Sequence, residues 1–165
     1  MPPRYSGEAP WRRTRRMIAV AQPAVGADFS LVVPTGVLWE LVSLVGVLTT
    51  SAVAATRRPR LTVSDGNTVG VRVSGNTNAT ASLAVSYGWL QDVANVSVGT
   101  DGSTAIPHLV LEPGWVVAVA TIALDAGDQW SGIGAHVIET TYRRGPTALE
   151  DLGAQVVELV VAAAG

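Results

Sequence analysis

The chain has 165 residues, 48% of them apolar, and a formal net charge of −2; a chain of that length forms one ordinary domain that buries about two thirds of its unfolded surface without a disulfide or metal. It contains neither Cys nor Lys, which excludes disulfides, thiolate metal sites, thiol nucleophiles, Schiff bases and phosphate-binding lysines. All 11 basic residues are Arg, and they are unevenly placed: residues 1–28 hold five Arg against Glu8 and Asp28, net +3, while the remainder holds six Arg against eleven acids, net −5.

Residues 1–28 are rich in Pro, Arg, Gly and Ala without a sustained period, and are expected to form an extended basic arm. Guanidinium groups keep their charge and bond carboxylates in a fork. Trp11, Arg12, Arg13, Arg15 and Arg16 are therefore the candidate partner-binding residues. An acidic protein surface suits them better than nucleic acid, because the body is acidic and no aromatic other than Trp11 interleaves the cluster. The apolar run from Met17 to Ala21 is cut by Gln22 and Pro23, too short for a secretory signal. No stretch reaches the roughly 18 uninterrupted apolar residues of a membrane-spanning helix, so no membrane association is expected.

A body is expected over residues 29–145. Phe29 to Val33 is a short strand closed by Pro34-Thr35-Gly36, and Val37 to Thr50 follows as the longest run of strand character. Alternate residues of a strand face opposite ways, which separates Val37, Trp39, Leu41, Ser43, Val45, Val47 and Thr49 from Leu38, Glu40, Val42, Leu44, Gly46 and Leu48. Both columns are mainly apolar, so both faces need cover. Val42 and Leu44 in the second column are the candidate interface residues. Leu38, Leu41, Val45 and Leu48 also fit a helical period, but β-branched content and Gly46 favour the strand.

Beyond it, Arg57-Arg58-Pro59-Arg60 is a corner, since Pro59 cannot donate to a central ladder. Leu61 to Val63 and Val69 to Val73 make a hairpin around Ser64-Asp65-Gly66-Asn67. Ala81 to Trp89 is a strand with one apolar face, Val93 to Val98 a short strand or loop, Thr100 to Ser103 a turn and Ile106 to Leu111 an edge strand. Trp115 to Leu124 has two apolar columns, and Asp125-Ala126-Gly127-Asp128 turns into a last strand, Gln129 to Tyr142. This spacing predicts an all-β fold, an antiparallel β-sandwich or jelly roll. In the tail, residues 146–165, Thr147 and Glu150 match a capping box and predict a short C-terminal helix, with a strand over Val156 to Val161 as the competing reading.

Little here carries chemistry. His108 and His136 lack metal-ligand spacing, and no nucleophile elbow, P-loop or dinucleotide fingerprint is present. No catalytic residue, metal ligand or cofactor is therefore expected, and the chain reads as non-enzymatic. Asp125 and Asp128 are turn aspartates before they are calcium ligands. The Trp residues at 11, 39, 89, 115 and 130 are core or interface material, with sugar stacking by a carbohydrate or host-surface binding module as the alternative function.

Val33-Pro34-Thr35-Gly36 leading to Trp39, Leu48-Thr49-Thr50-Ser51, Arg58-Pro59-Arg60-Leu61, Asp65-Gly66, Leu111-Glu112-Pro113-Gly114-Trp115 and Ala126-Gly127-Asp128-Gln129-Trp130 form a series over about residues 29–140. Together they resemble the small β-sandwich virion proteins of tailed bacteriophages. That resemblance implies assembly without catalysis: decoration or cementing of the capsid, or a place in the neck or collar, on the virion made in the bacterial cytoplasm. Its implied partners are major capsid, portal or neck subunits and further copies of the chain.

Overall fold

The computed structural model describes residues 11–142, an all-β structure of eleven strands in two sheets with no helix among those residues. The strands are β1 (Trp11–Ala19), β2 (Ser30–Val32), β3 (Val37–Thr49), β4 (Arg58–Ser64), β5 (Val69–Ser74), β6 (Ala84–Gln91), β7 (Val96–Val98), β8 (Asp101–Ile106), β9 (Val110–Leu111), β10 (Val116–Ile122) and β11 (Gln129–Tyr142). Seven form one sheet in the order β1-β11-β3-β6-β8-β7, with β9 extending the ladder on β3. The other sheet runs β2-β10-β4-β5.

Alternation places the core. Val85, Tyr87 and Trp89 of β6 point inward, as do Leu61 and Val63 of β4 and Val117 and Val119 of β10. They join Leu41, Leu44 and Leu48 of β3 and Ala135 and Val137 of β11 in one cluster drawn from both sheets. Trp130 sits at its centre, edge-on to Phe29 with ring centroids 5.2 Å apart and 5.9 Å from Tyr87. Its indole N–H donates to Asp28 Oδ1 at 3.1 Å, and Thr121 donates to both oxygens of the same carboxylate from its backbone N–H and its hydroxyl.

The two apolar columns of β3 have a geometric cause that corrects the expectation for Leu44. His136 of β11 pairs with Ser43 and Val137 with Leu41, so Val42 is an extra residue, a β-bulge. A bulge exchanges the faces of everything beyond it. Trp39 and Leu41 point inward before Val42, and Leu44, Gly46 and Leu48 point inward after it. Leu44 is 0% exposed and belongs to the domain's own core, not to an interface; Val42 is half-buried at the irregularity. A second shift between Ser131 and Gly134 of β11, where Gly132 takes φ +58°, lets the partner strand follow.

Other segments also differ from the expectation. The residues expected as an arm are integrated from Trp11 onward. β1 pairs antiparallel with β11 from Trp11↔Tyr142 to Ala19↔Gly134. The link after it is held to β11 by Val20 N–H on Ile133 O and by Gln129 Nε2 on Pro23 O. Thr100 to Ser103 is not a turn: Gly99, at φ +58°, makes the reversal, and Asp101 begins β8. β8 lies parallel to β6, the one parallel pair among otherwise antiparallel ladders of the described residues. Asn76 secures the insertion, donating from Nδ2 to Val96 O and Ser103 O. Pro59 lies within β4, opposite Thr121, at the second residue of the strand, where a missing N–H is tolerated. The C-terminal helix expected over residues 146–165 lies outside the described residues.

Candidate functional site

Two surfaces and one buried cluster concentrate the chemistry of the described residues. The first surface is β1. Pairing with β11 brings Trp11, Arg12, Arg13, Arg15 and Arg16 together on one edge strand, as a continuous basic ridge. Alternation sends Arg13 and Arg15 to the face away from the core, and Arg12 and Arg16 to the opposite face. Arg13 Nη2 meets Glu40 Oε2 at 2.7 Å, and His108 Nε2 lies 3.0 Å from Glu40 Oε1. Arg16 Nη1 reaches Glu139 Oε1 at 2.9 Å and Oε2 at 3.0 Å, and Trp39 Nε1–H donates to Glu139 Oε2 at 3.2 Å. These pairs fasten the strand to β3 and β11. Arg12 and Arg15 have no carboxylate partner among the described residues, and Trp11 is 51% exposed.

The second surface is the outer face of the seven-stranded sheet. Register alone builds a trough there. Val45 stands beside Gly88, Gly88 beside Ser103 and Ser103 beside Val96; one pair further along, Val47, Ser86, Asp101 and Val98 repeat the row. Each row has valine at both ends and small or polar residues between, so the valines are walls and Gly88, Ser86 and Ser103 the floor. The trough encloses about 380 Å³. Val98 is 68% exposed and Val96 48%, and Met17, 70% exposed, extends the apolar surface on the β1 side. The sequence already showed valine at 45 and 47. What it concealed was β8, whose insertion between β6 and β7 places Val96 and Val98 opposite them.

The buried cluster joins the turn before β11 to the start of β4. Arg57 and Asp128 are each 0% exposed, and Arg57 Nε donates to Asp128 Oδ2 at 2.9 Å. The guanidinium also donates to Val53 O, Ala55 O and Ser51 Oγ. Burial pushes the Asp128 carboxyl up. Hydrogen bonds from Arg57 and from the backbone N–H groups of Ser51 and Asp125 outweigh burial and hold it below the usual carboxylate range. Asp125 is also lowered, by the Gly127 N–H and the Ser51 hydroxyl. With both Asp128 oxygens committed to the protein, the cluster is a clamp between turns. The expected turn role of Asp125 and Asp128 is present, because Asp125 Oδ1 accepts from Gly127 N–H. The described residues hold no group of three or more His, Cys, Asp or Glu able to ligate a metal.

His136 lies on the outer face of β11, beside Met17 and Ser43 in register, and His108 lies in the link before β9. Trp39, Trp89 and Trp130 are buried and Trp115 is half-buried, whereas Trp11 is exposed. Arg57 had no signal in the sequence. Within Arg57-Arg58-Pro59-Arg60 nothing local separates it from the exposed Arg58 or the half-buried Arg60, and its partner lies 71 positions away. No protein-family model matches the chain, and no curated protein or solved structure gives a significant match.

Proposed function

We propose that the chain is a non-enzymatic structural subunit of a tailed-phage virion, a β-sandwich that decorates or cements the capsid or stands in the neck or collar. The observation that supports assembly most directly is the valine-walled trough on the outer face of the larger sheet, an apolar surface that no strand of either sheet covers among the described residues. Apolar area of that kind is stabilised by removal from water at about 25 cal/mol per Å², and contiguous exposed patches mark protein contacts. The phage setting comes from the resemblance over residues 29–140, which names other copies and capsid, portal or neck subunits as partners and the virion as location. Nucleic acid and membranes have no part in this reading. The carbohydrate-binding alternative has less support, since three of the five Trp side chains are buried in the core.

Light scattering on the purified chain, alone and mixed with capsid or neck subunits, tests the proposal. The expected result is a multimer or a co-sedimenting complex that Val45→Glu with Val98→Glu abolishes while leaving the melting temperature within about 2 °C, as surface changes of this kind do. A wild-type chain that stays monomeric and joins neither partner overturns it.

A further inference from the structure

We propose that the open edge of β1 takes up an extended, acid-rich segment of another protein as an added strand. This rests on the assembly reading and gives one partner its chemistry. β1 is nine residues long and pairs with β11 on one side; among the described residues no strand pairs on the other. An edge strand offers a row of unpaired N–H and C=O groups, the feature that strand addition uses. Long exposed edges are hazards, and flanking charge is the usual protection. Here the charge also selects.

A second copy is the wrong occupant. Antiparallel pairing of β1 with itself about Thr14 sets Arg12 against Arg16 and Arg13 against Arg15, so that all four guanidiniums meet their own kind. A shift of one residue either way still leaves Arg opposite Arg: Arg12 against Arg15, or Arg13 against Arg16. Like charges directly opposite each other are destabilising. Nucleic acid fits less well than an acidic strand. Glu40 and Glu139 stand within 3 Å of Arg13 and Arg16, which half-neutralises the ridge and places carboxylates where phosphates would approach.

Arg12 and Arg15, which have no carboxylate partner among the described residues, define the partner's pattern. Arg12 and Arg15 are three positions apart and point to opposite faces of the sheet. A strand laid antiparallel along β1 meets them with residues that are also three apart and on opposite faces, with directly opposed Cβ atoms about 5 Å away. The segment recognised is thus an extended one with Asp or Glu at two positions three apart. Each carboxylate takes the fork of one guanidinium.

The test uses the full chain and a fluorescent nonapeptide of Thr and Val with two Glu three residues apart, its Gln twin, and a duplex oligonucleotide. The expected result is peptide binding that weakens with salt, a Gln twin at least about tenfold weaker, and slowed amide hydrogen exchange confined to residues 11–19. Arg12→Glu with Arg15→Glu should lose the peptide without moving the melting temperature, and should instead bind a twin carrying Lys at the two positions. Equal binding of the Gln twin, no binding at all, or tighter binding of the oligonucleotide overturns the inference. Multimers that persist in the Arg12→Glu, Arg15→Glu variant and are lost in Val45→Glu, Val98→Glu keep the assembly reading separate: failure of the peptide sinks this inference alone, and a chain without any partner sinks assembly.

Discussion

Arg57 and Asp128 are a buried ion pair whose remaining polar atoms also find partners in the turn peptides. Such a pair adds little over an apolar pair of the same shape, but breaking it strands a charge away from water. Asp128→Asn should therefore destabilise the fold by about 3–5 kcal/mol in denaturant titrations, whereas Asp65→Asn, in an exposed turn, should cost far less. The pH dependence has a definite sign. The folded-state pKa of Asp128 lies below its unfolded value, so its contribution is complete above the unfolded value of about 3.9. It is lost as pH falls from there through the folded value. Wild-type stability should drop below about pH 4, and Asp128→Asn should have a flatter acid limb. Tyr87 gives the opposite limb. Burial pushes its hydroxyl up to about 12, and the hydroxyl donates to Thr77 O at 3.1 Å. Its contribution holds below about pH 10 and falls as pH rises toward 12. Tyr87→Phe should remove that alkaline loss, measured as melting temperature against pH.

At the scale of single elements, periodicity located the long strands well. Val37 to Thr49 and Gln129 to Tyr142 are strands with those bounds or within a residue of them. Which side chains of β3 face the core was not legible, because the bulge at Val42 is decided by its pairing with β11 and not by any local residue preference. A strict two-residue period misassigns everything beyond the bulge, and Leu44 was misplaced for that reason. Gly46 shows how tightly the strands then close. A Cβ there would lie 3.2 Å from Trp130 Cζ3 and 3.3 Å from its Cε3. The indole cannot retreat, being ringed by Phe29 and Tyr87 and tied to Asp28. Gly46→Ala should cost about 1–3 kcal/mol, the usual range for overpacking, with Trp fluorescence reporting the shifted ring.

For the molecule as a whole, the contrast between neighbours Leu44 and Val45 separates folding from assembly. Leu44 is 0% exposed and Val45 is 37% exposed on the opposite face. Leu44→Ala should lower unfolding free energy by about 2–5 kcal/mol. Val45→Ala should change it by about 0.5 kcal/mol or less and act on association instead, read by light scattering. The amino-acid sequence by itself determined the all-β class, the positions of most strands, the charge division between the first 28 residues and the rest, and the gathering of Arg12, Arg13, Arg15 and Arg16. Those properties depend on local period, turn residues and composition, which need no knowledge of distant neighbours. Tertiary structure alone decided that β1 joins the larger sheet, that β8 slips parallel between β6 and β7, that Arg57 is buried on Asp128, and that valines from β3 and β7 wall one trough. Each depends on a pairing between strands remote in sequence, and the free energy of such a pairing resides in partners that no local window contains.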